Sequence, residues 1–183
     1  KEGVKPVNHL DQVQGKILAI PTHGTSPVVL SEIEARHIHI IDTTCPIVHK
    51  AQTIAKELAQ AGFNVVIFGE AEHSEVKGLL GWAGEKGIAT LDVEQIVSYK
   101  KAKQALSSHR LGIIAQTTQT THAFIEFSRQ LMIMVGSKAK EVRIINTLCQ
   151  TVQKRQEAAL SLAQRSQLMI VIGGYNSANT KHL

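Results

Sequence analysis

The amino-acid sequence predicts an α/β protein built of repeated three-layer α/β units with mostly parallel sheets. Three observations carry that prediction. Short β-branched runs alternate with helical patterns along the chain, as strand–helix–strand crossovers require. The runs are apolar without clean alternation, which suits parallel strands covered on both faces. One stretch of the chain also occurs twice, 104 positions apart.

The elements follow in order. KILAIP (16–21) and HIHIID (37–42) read as the first two strands. A helix is expected over 46–61, with Ala51, Ile54, Ala55 and Leu58 on one stripe and Gly62 past its end. NVVIFG (64–69) and GIATL (87–91) read as strands, with helices over 74–84 and 92–104. The basic stretch SYKKAKQALSSHR (98–110) reads as a solvated helix and turn. RLGIIAQ (110–116), VRIIN (142–146) and LMIVIGG (168–174) complete the strands, with helices over 120–134 and 149–165. Phe68 and Trp82 read as core.

The repeat organises these elements. At a shift of 104, IIDTTCPIVHKAQTIAKELAQAGFNVVIFG falls without a gap on IINTLCQTVQKRQEAALSLAQRSQLMIVIG. The identities include Thr43, Cys45, Val48, Gln52, Ala55 and Gly69. The same shift lays His73 on Ser177, Ser74 on Ala178 and Glu75 on Asn179. A fainter shift of 94 lays KILAIPTHGTS on RLGIIAQTTQT and His23 on Thr117. The chain then divides into the back part of one unit (1–37), a complete unit (38–140) and the front part of a third (141–183). It starts KEGVK and stops at NSANTKHL, where a loop turns into a helix, so a fragment is expected.

Composition sets the outer bounds. The 183 residues are 43% hydrophobic and 19% charged, enough for a real core. No apolar run reaches the roughly 18 residues of a membrane span, and no signal-peptide pattern opens the chain. Neither a membrane nor a nucleic acid is expected as partner: the net charge of +5 is scattered rather than striped. Two distant cysteines make no secreted disulfide framework, so a reducing compartment is expected.

The chemistry sits in the loops after the strands, where ligands of parallel sheets bind. Units arranged around one axis would aim these loops at one centre. Cys45 and Cys149 each open a helix, and a helix N-terminus favours the thiolate that iron needs. Three such cysteines could hold an iron–sulfur cluster with one iron open to substrate. A lone strand-end Cys is more often a small buried hydrophobe, and a disulfide or zinc site stays open. His73 and Glu75 open a helix in GEAEHSEVKG (69–78), as phosphate donor and proton donor or as cap and solvated acid. Ser177 and Asn179 in GGYNSANT (173–180) suit an anion or merely a cap. His23, Thr117 and Thr118 could be site residues or turn chemistry. His37, His39, His49, His109, His122 and His182 have no partner in the repeat and read as surface or strand residues.

Taken together, THG-TSPVV…DTTCPIVHKA, GEAEHSEVKGLLG, AQTTQTT, NTLCQTVQKRQEAA and GGYNSANTKHL resemble the LytB (IspH) family of 4-hydroxy-3-methylbut-2-enyl diphosphate reductases. The resemblance implies a trefoil of three α/β domains with pseudo-threefold symmetry around a [4Fe-4S] cluster. It implies reductive removal of the hydroxyl from an allylic diphosphate, giving isopentenyl and dimethylallyl diphosphates in the last step of the non-mevalonate isoprenoid pathway. Electrons would come from a ferredoxin- or flavodoxin-type donor, in bacterial cytoplasm or plastid stroma. Cys45 and Cys149 would be two of three cluster ligands. His23, His73, Ser177 and Asn179 would bind the diphosphate. Glu75 would deliver the proton that lets hydroxyl leave as water, with Thr117 positioning it. Ala178 stands in the substrate loop where family members often carry a second Ser. The family's first Cys has no counterpart, so the 183-residue chain alone is expected to be inactive or nearly so. The same loops would also serve a cluster-free module that binds a phosphorylated ligand, and the two thiols a disulfide-exchange protein.

Overall fold

Apolar runs bounded by turn residues become strands here because each finds a neighbour to share its backbone hydrogen bonds. The computed structural model describes residues 3–98, 110–174 and 177–183. Strand β1 (Ile17–Ile20) pairs with β2 (His39–Asp42) in a two-stranded sheet. Strands β3 (Asn64–Phe68), β4 (Gly87–Thr90), β5 (Arg110–Ala115) and β6 (Glu141–Ile144) form a second sheet in the order β4-β3-β5-β6. Every pairing is parallel.

Two helical layers cover the larger sheet. On one face lie α2 (Pro46–Gln60) and α3 (Ser74–Ala83). Their Ala51, Ala55, Leu58, Val76 and Leu79 meet Val65, Ile67 and Ile114. On the other face α4 (Val93–Ser98) and α5 (Thr121–Val135) bring Ile96, Phe124, Phe127 and Leu131 against Val66, Phe68 and Ile113. Alternate residues of β3 thus feed opposite cores. Phe68 is core as expected, while Trp82 is half-buried and donates its indole N–H to the Thr25 carbonyl at 3.0 Å. The expected helix over 92–104 is formed through Ser98, and its remainder lies outside the described residues.

The sheets cut across the sequence repeat. Strand β2 opens the stretch from 38 but pairs with β1, and β6, its counterpart 104 residues on, pairs with β5. Each sheet therefore ends on the first strand of the following repeat, which ties neighbouring units together.

Three expectations are corrected. The fainter repeat is offset by one in the strands. Ile17 stands beside His39, and Gly112 stands beside Arg143, so the strand shift is 95. At the helices it returns to 94: Ser26 Oγ accepts from Val29 N–H and Thr120 Oγ1 from Ala123 N–H. The loop after β1 has one residue more, and Gly24, at φ 69°, takes the left-handed turn. The backbone counterpart of His23 is consequently Thr118 rather than Thr117.

Second, a helix absent from the sequence reading, α1 (Pro27–Ala35), follows that loop. Ser26 caps it and Pro27 sits at its first position, a start signal legible in the sequence. Third, LMIVIGG over 168–174 joins no ladder. Among the described residues no strand lies beside it, and Leu168, Ile170 and Ile172 are exposed. It lies between α6 (Gln150–Ala163) and the short α7 (Ala178–Lys181). Among the described residues, no helix is long and apolar enough to cross a membrane.

Candidate functional site

The two cysteine turns are the same device built from the same three contacts. Asp42 and Asn146 each bend the chain with a side-chain oxygen, accepting from Thr44 N–H at 2.8 Å and Leu148 N–H at 2.9 Å. Thr43 and Thr147 each donate a hydroxyl to the end of the preceding strand, at Ile20 O (2.5 Å) and Ala115 O (2.6 Å). Cys45 N–H then donates to Thr22 O at 3.0 Å, and Cys149 N–H to Thr117 O at 2.8 Å. Each Cys is the N-cap of its helix, with its carbonyl starting the helical ladder. The Asp-or-Asn, Thr, Cys order is therefore a turn, a tie and a cap. The Asp42 carboxyl is held below its ordinary range by the Thr44 hydroxyl and then by the Thr44 N–H.

These ties reach the wall of a cavity of about 640 Å³. His23 and Thr118 line it, each one residue past the carbonyl that holds a Cys turn. His73 and Ser74 line it from the loop after β3, and Ser177, Ala178 and Asn179 from the start of α7. The His23 and His73 rings meet edge to face with centroids 5.4 Å apart. His73 is also the N-cap of α3, its Nδ1 accepting from Glu75 N–H at 3.2 Å. That bond leaves Nε2 as the ring atom free for a ligand. Ser177 caps α7 in the same way, accepting from Thr180 N–H at 3.3 Å. Burial lowers the His73 pKa, and His23 and Lys181 lower it further against the opposing pull of Glu70.

Glu75, next in the chain to the lining residue Ser74, is 1% exposed. Thr117 holds both its oxygens: N–H to Oε1 at 2.7 Å and hydroxyl to Oε2 at 2.9 Å. Burial pushes the Glu75 carboxyl up, and the two Thr117 bonds pull it part of the way back. Burial favours the protonated carboxyl relative to an exposed one, and the threonine hydroxyl can turn to accept a hydrogen bond from it.

Two repeat-matched glycines let the backbone before these loops approach its neighbours closely. A Cβ on Gly69 would meet Gln116 Cβ at 2.8 Å, and one on Gly173 would meet Thr180 Oγ1 at 2.1 Å. Both glycines are therefore steric requirements of the site.

The structure brings His23, His73, Ser177, Ala178 and Asn179 to one cavity, with Glu75 and Thr117 paired beneath it. Cys45 and Cys149 are free, half-buried thiols outside the lining. Among the described residues, no three His, Cys, Asp or Glu side chains gather as a metal site. The donor set thus fits an iron–sulfur cluster in part, offering two equivalent thiols and no third. Sequence reasoning missed five site residues: Gln116, Glu70, Glu72, Lys181 and His182. Gln116 is fully buried, accepts from Glu70 N–H at 3.2 Å and donates to the Thr118 hydroxyl at 2.9 Å. His182 Nδ1 lies 2.8 Å from Thr118 O, tying α7 to the loop after β5. The first lies in AQTTQTT and could have been found there; the others needed the fold.

Comparison with known proteins is consistent with this geometry. The LytB protein family model matches residues 1–183. A 4-hydroxy-3-methylbut-2-enyl diphosphate reductase of Dehalococcoides mccartyi is 43% identical over 181 residues, covering 99% of this chain and 62% of the relative. The protein of the same name from Campylobacter hominis is 37% identical over 184 residues, covering 63% of its length. A solved (E)-4-hydroxy-3-methyl-but-2-enyl diphosphate reductase, described as the terminal enzyme of the non-mevalonate pathway, is 35% identical with a TM-score of 0.65. It covers 90% of this chain, which spans 56% of the solved one. The Plasmodium falciparum E-1-hydroxy-2-methyl-but-2-enyl-4-diphosphate reductase shares the fold alone, at TM-score 0.82 and 22% identity, over 96% of this chain and 54% of its own. The chain spans about 62% of the length of the first relatives it matches.

Proposed function

The chain belongs to the LytB protein family, and from that premise we propose that the protein of which it is part is a 4-hydroxy-3-methylbut-2-enyl diphosphate reductase. The observation that carries this reading is the stacking of two different chemistries. A cavity lined by His23, His73, Ser177 and Asn179 suits a diphosphate, and the buried Glu75–Thr117 pair adjoins it through the chain neighbours Ser74 and Thr118, which line it.

The balance of the reaction assigns the roles. The allylic diphosphate takes up two electrons and two protons, its C–O bond breaks, and water and one of two isopentenyl isomers leave. His23, His73, Ser177 and Asn179 hold the diphosphate, which leaves the hydroxyl end toward the Glu75–Thr117 pair. Glu75 gives one proton to the departing hydroxyl, and Thr117 keeps the carboxyl aimed. A [4Fe-4S] cluster, when bound, supplies the electrons, with Cys45 and Cys149 as two of its ligands and the third outside this chain. A ferredoxin- or flavodoxin-type protein is the electron donor under this reading.

The test uses the full-length protein, reconstituted anaerobically with iron and sulfide. Its visible absorption should appear and respond to the allylic diphosphate. Cys45→Ser and Cys149→Ser should each lower iron content and cut turnover by more than the about 10–100-fold typical of losing a group behind a ligand. A colourless protein that still binds the diphosphate would replace the reductase with a phosphate-binding module. Equal activity in the serine variants would overturn the ligand assignment.

A further inference from the structure

A diphosphate is held by hydrogen-bond donors and positive charge, and the described lining here carries two carboxylates against one permanent cation. Two carboxylates, Glu70 and Glu72, face the space. Glu72 is engaged by Lys77 at 2.8 Å, which leaves Glu70 facing the ligand. His73 offsets it little at neutral pH, because burial holds its ring toward the uncharged form, and that ring lies against His23 with centroids 5.4 Å apart. Serine, threonine and asparagine supply hydrogen bonds without net charge. One lining residue remains. Lys181 is the only Lys or Arg among the cavity's described lining residues, and it makes no ion pair with any described residue. Lys181 lines the same cavity as His23, His73, Ser177 and Asn179, and its charge acts on the His73 ring.

Resting on the diphosphate reading of this cavity, we propose that Lys181 is a further substrate-binding residue, the permanent cation that offsets Glu70 and meets the anion. A lysine ammonium suits this role as a compact, mobile point charge with three donors. It sits on the last turn of α7 rather than on the caps that hold the loops, so it contributes charge and not architecture. His182, the next residue, anchors that turn to Thr118 O, which keeps the ammonium over the cavity.

The experiment measures inorganic pyrophosphate binding to the full-length protein by calorimetry, at low and high salt, alongside steady-state reduction of the allylic diphosphate. Lys181→Gln should weaken pyrophosphate binding about tenfold at low salt, since a charge-assisted hydrogen bond is lost. The gap should shrink as salt screens the site. KM should rise with it, and kcat at saturation should stay within about twofold, as for lost uniform binding. Lys181→Arg should restore most of the affinity, and Glu70→Gln should tighten binding. Lys56→Gln, a lysine on Trp82 well away from the cavity, is the control and should change nothing. A Lys181→Gln protein that binds pyrophosphate like the parent overturns the proposal. So does a loss that ignores salt and is not rescued by arginine, because it marks a structural role. A parent protein that does not bind pyrophosphate at all overturns the diphosphate reading instead, so the two failures are separable.

Discussion

Residues 40–69 and 144–173 share one sequence pattern, and the structure packs them differently. In the first, α2 and β3 form the heart of a core: Leu58 is 3% exposed and the four residues Val65–Phe68 are buried between two layers. In the second, α6 buries only Val152, Leu162 is 51% exposed and Ile172 is 92% exposed. The β3 stretch has β4 and β5 to bond with, whereas its counterpart has no strand alongside among the described residues. What the two regions share is the turn. The three ties around Cys45 recur around Cys149 within 0.2 Å. The cysteine device is therefore set by local hydrogen bonds to the neighbouring strand end and does not depend on the packing behind it. Strand formation does.

The loops after those stretches sharpen the contrast. His73 and Ser177 occupy equivalent cap positions, but two residues on, one repeat has Glu75 and the other Asn179. Only the acid can move a proton. Glu75→Gln in the full-length protein should lower kcat by about 10²–10⁴-fold, the range for a lost general acid. Asn179→Ala should instead raise KM, by about tenfold, with kcat little changed. Equal effects on kcat would break the division of labour. The glutamine keeps the shape and can still accept from Thr117 N–H, so the fold should survive. Stability gives a second check. The folded Glu75 pKa lies above its ordinary 4.5 because of burial. Its contribution is thus fully present below that value and is lost as pH rises through the folded pKa. Glu75→Gln removes this loss, so at neutral pH the variant should unfold no more easily than the parent in urea.

The packing contrast is tested by two alanines. Leu58→Ala should cost about 2–5 kcal/mol, a buried leucine leaving a cavity against Gly112 and Phe63. Leu162→Ala in the 183-residue chain should stay within about 0.5 kcal/mol, as for an exposed position. In the full-length protein the second cost should climb toward the first. Urea unfolding of both pairs measures this, and an equal cost in the short chain would contradict the exposed face seen here.

Much of this was legible beforehand, for identifiable reasons. Buried parallel strands leave continuous apolar runs, so β1 to β6 could be read within a few residues. A repeat that preserves Cys45 and Cys149, with Asp or Asn three residues before each, marked the turns without any coordinates. The strand at 168–174 was misplaced because composition records the capacity to pair and not the presence of a partner. The match of His23 to Thr117 failed because one extra loop residue, taken up at Gly24, is invisible to a gapless shift. Helix α1 went unread although Ser26-Pro27 announced it. Glu70, Lys181 and His182 could not be chosen from the sequence: each is one polar residue among many until the fold brings three loops together.

The smallest effect concerns the histidine cap that its counterpart lacks. His73 is held toward neutral first by burial, then by His23 and Lys181. Its folded pKa therefore lies below the ordinary 6.5, so its share of stability is present above that value and is lost as pH falls through the lowered one. A bound diphosphate reverses the balance, since an anion beside the ring favours the imidazolium. Pyrophosphate binding near the ordinary His pKa should then take up a fraction of a proton. Calorimetry in two buffers of different ionisation heat reads this directly. Ser177→Ala, which removes the non-titrating cap, should keep the uptake while weakening binding, whereas His73→Asn should abolish the uptake. Uptake that persists without His73 would move the proton to His23, and with it the place where the phosphate sits.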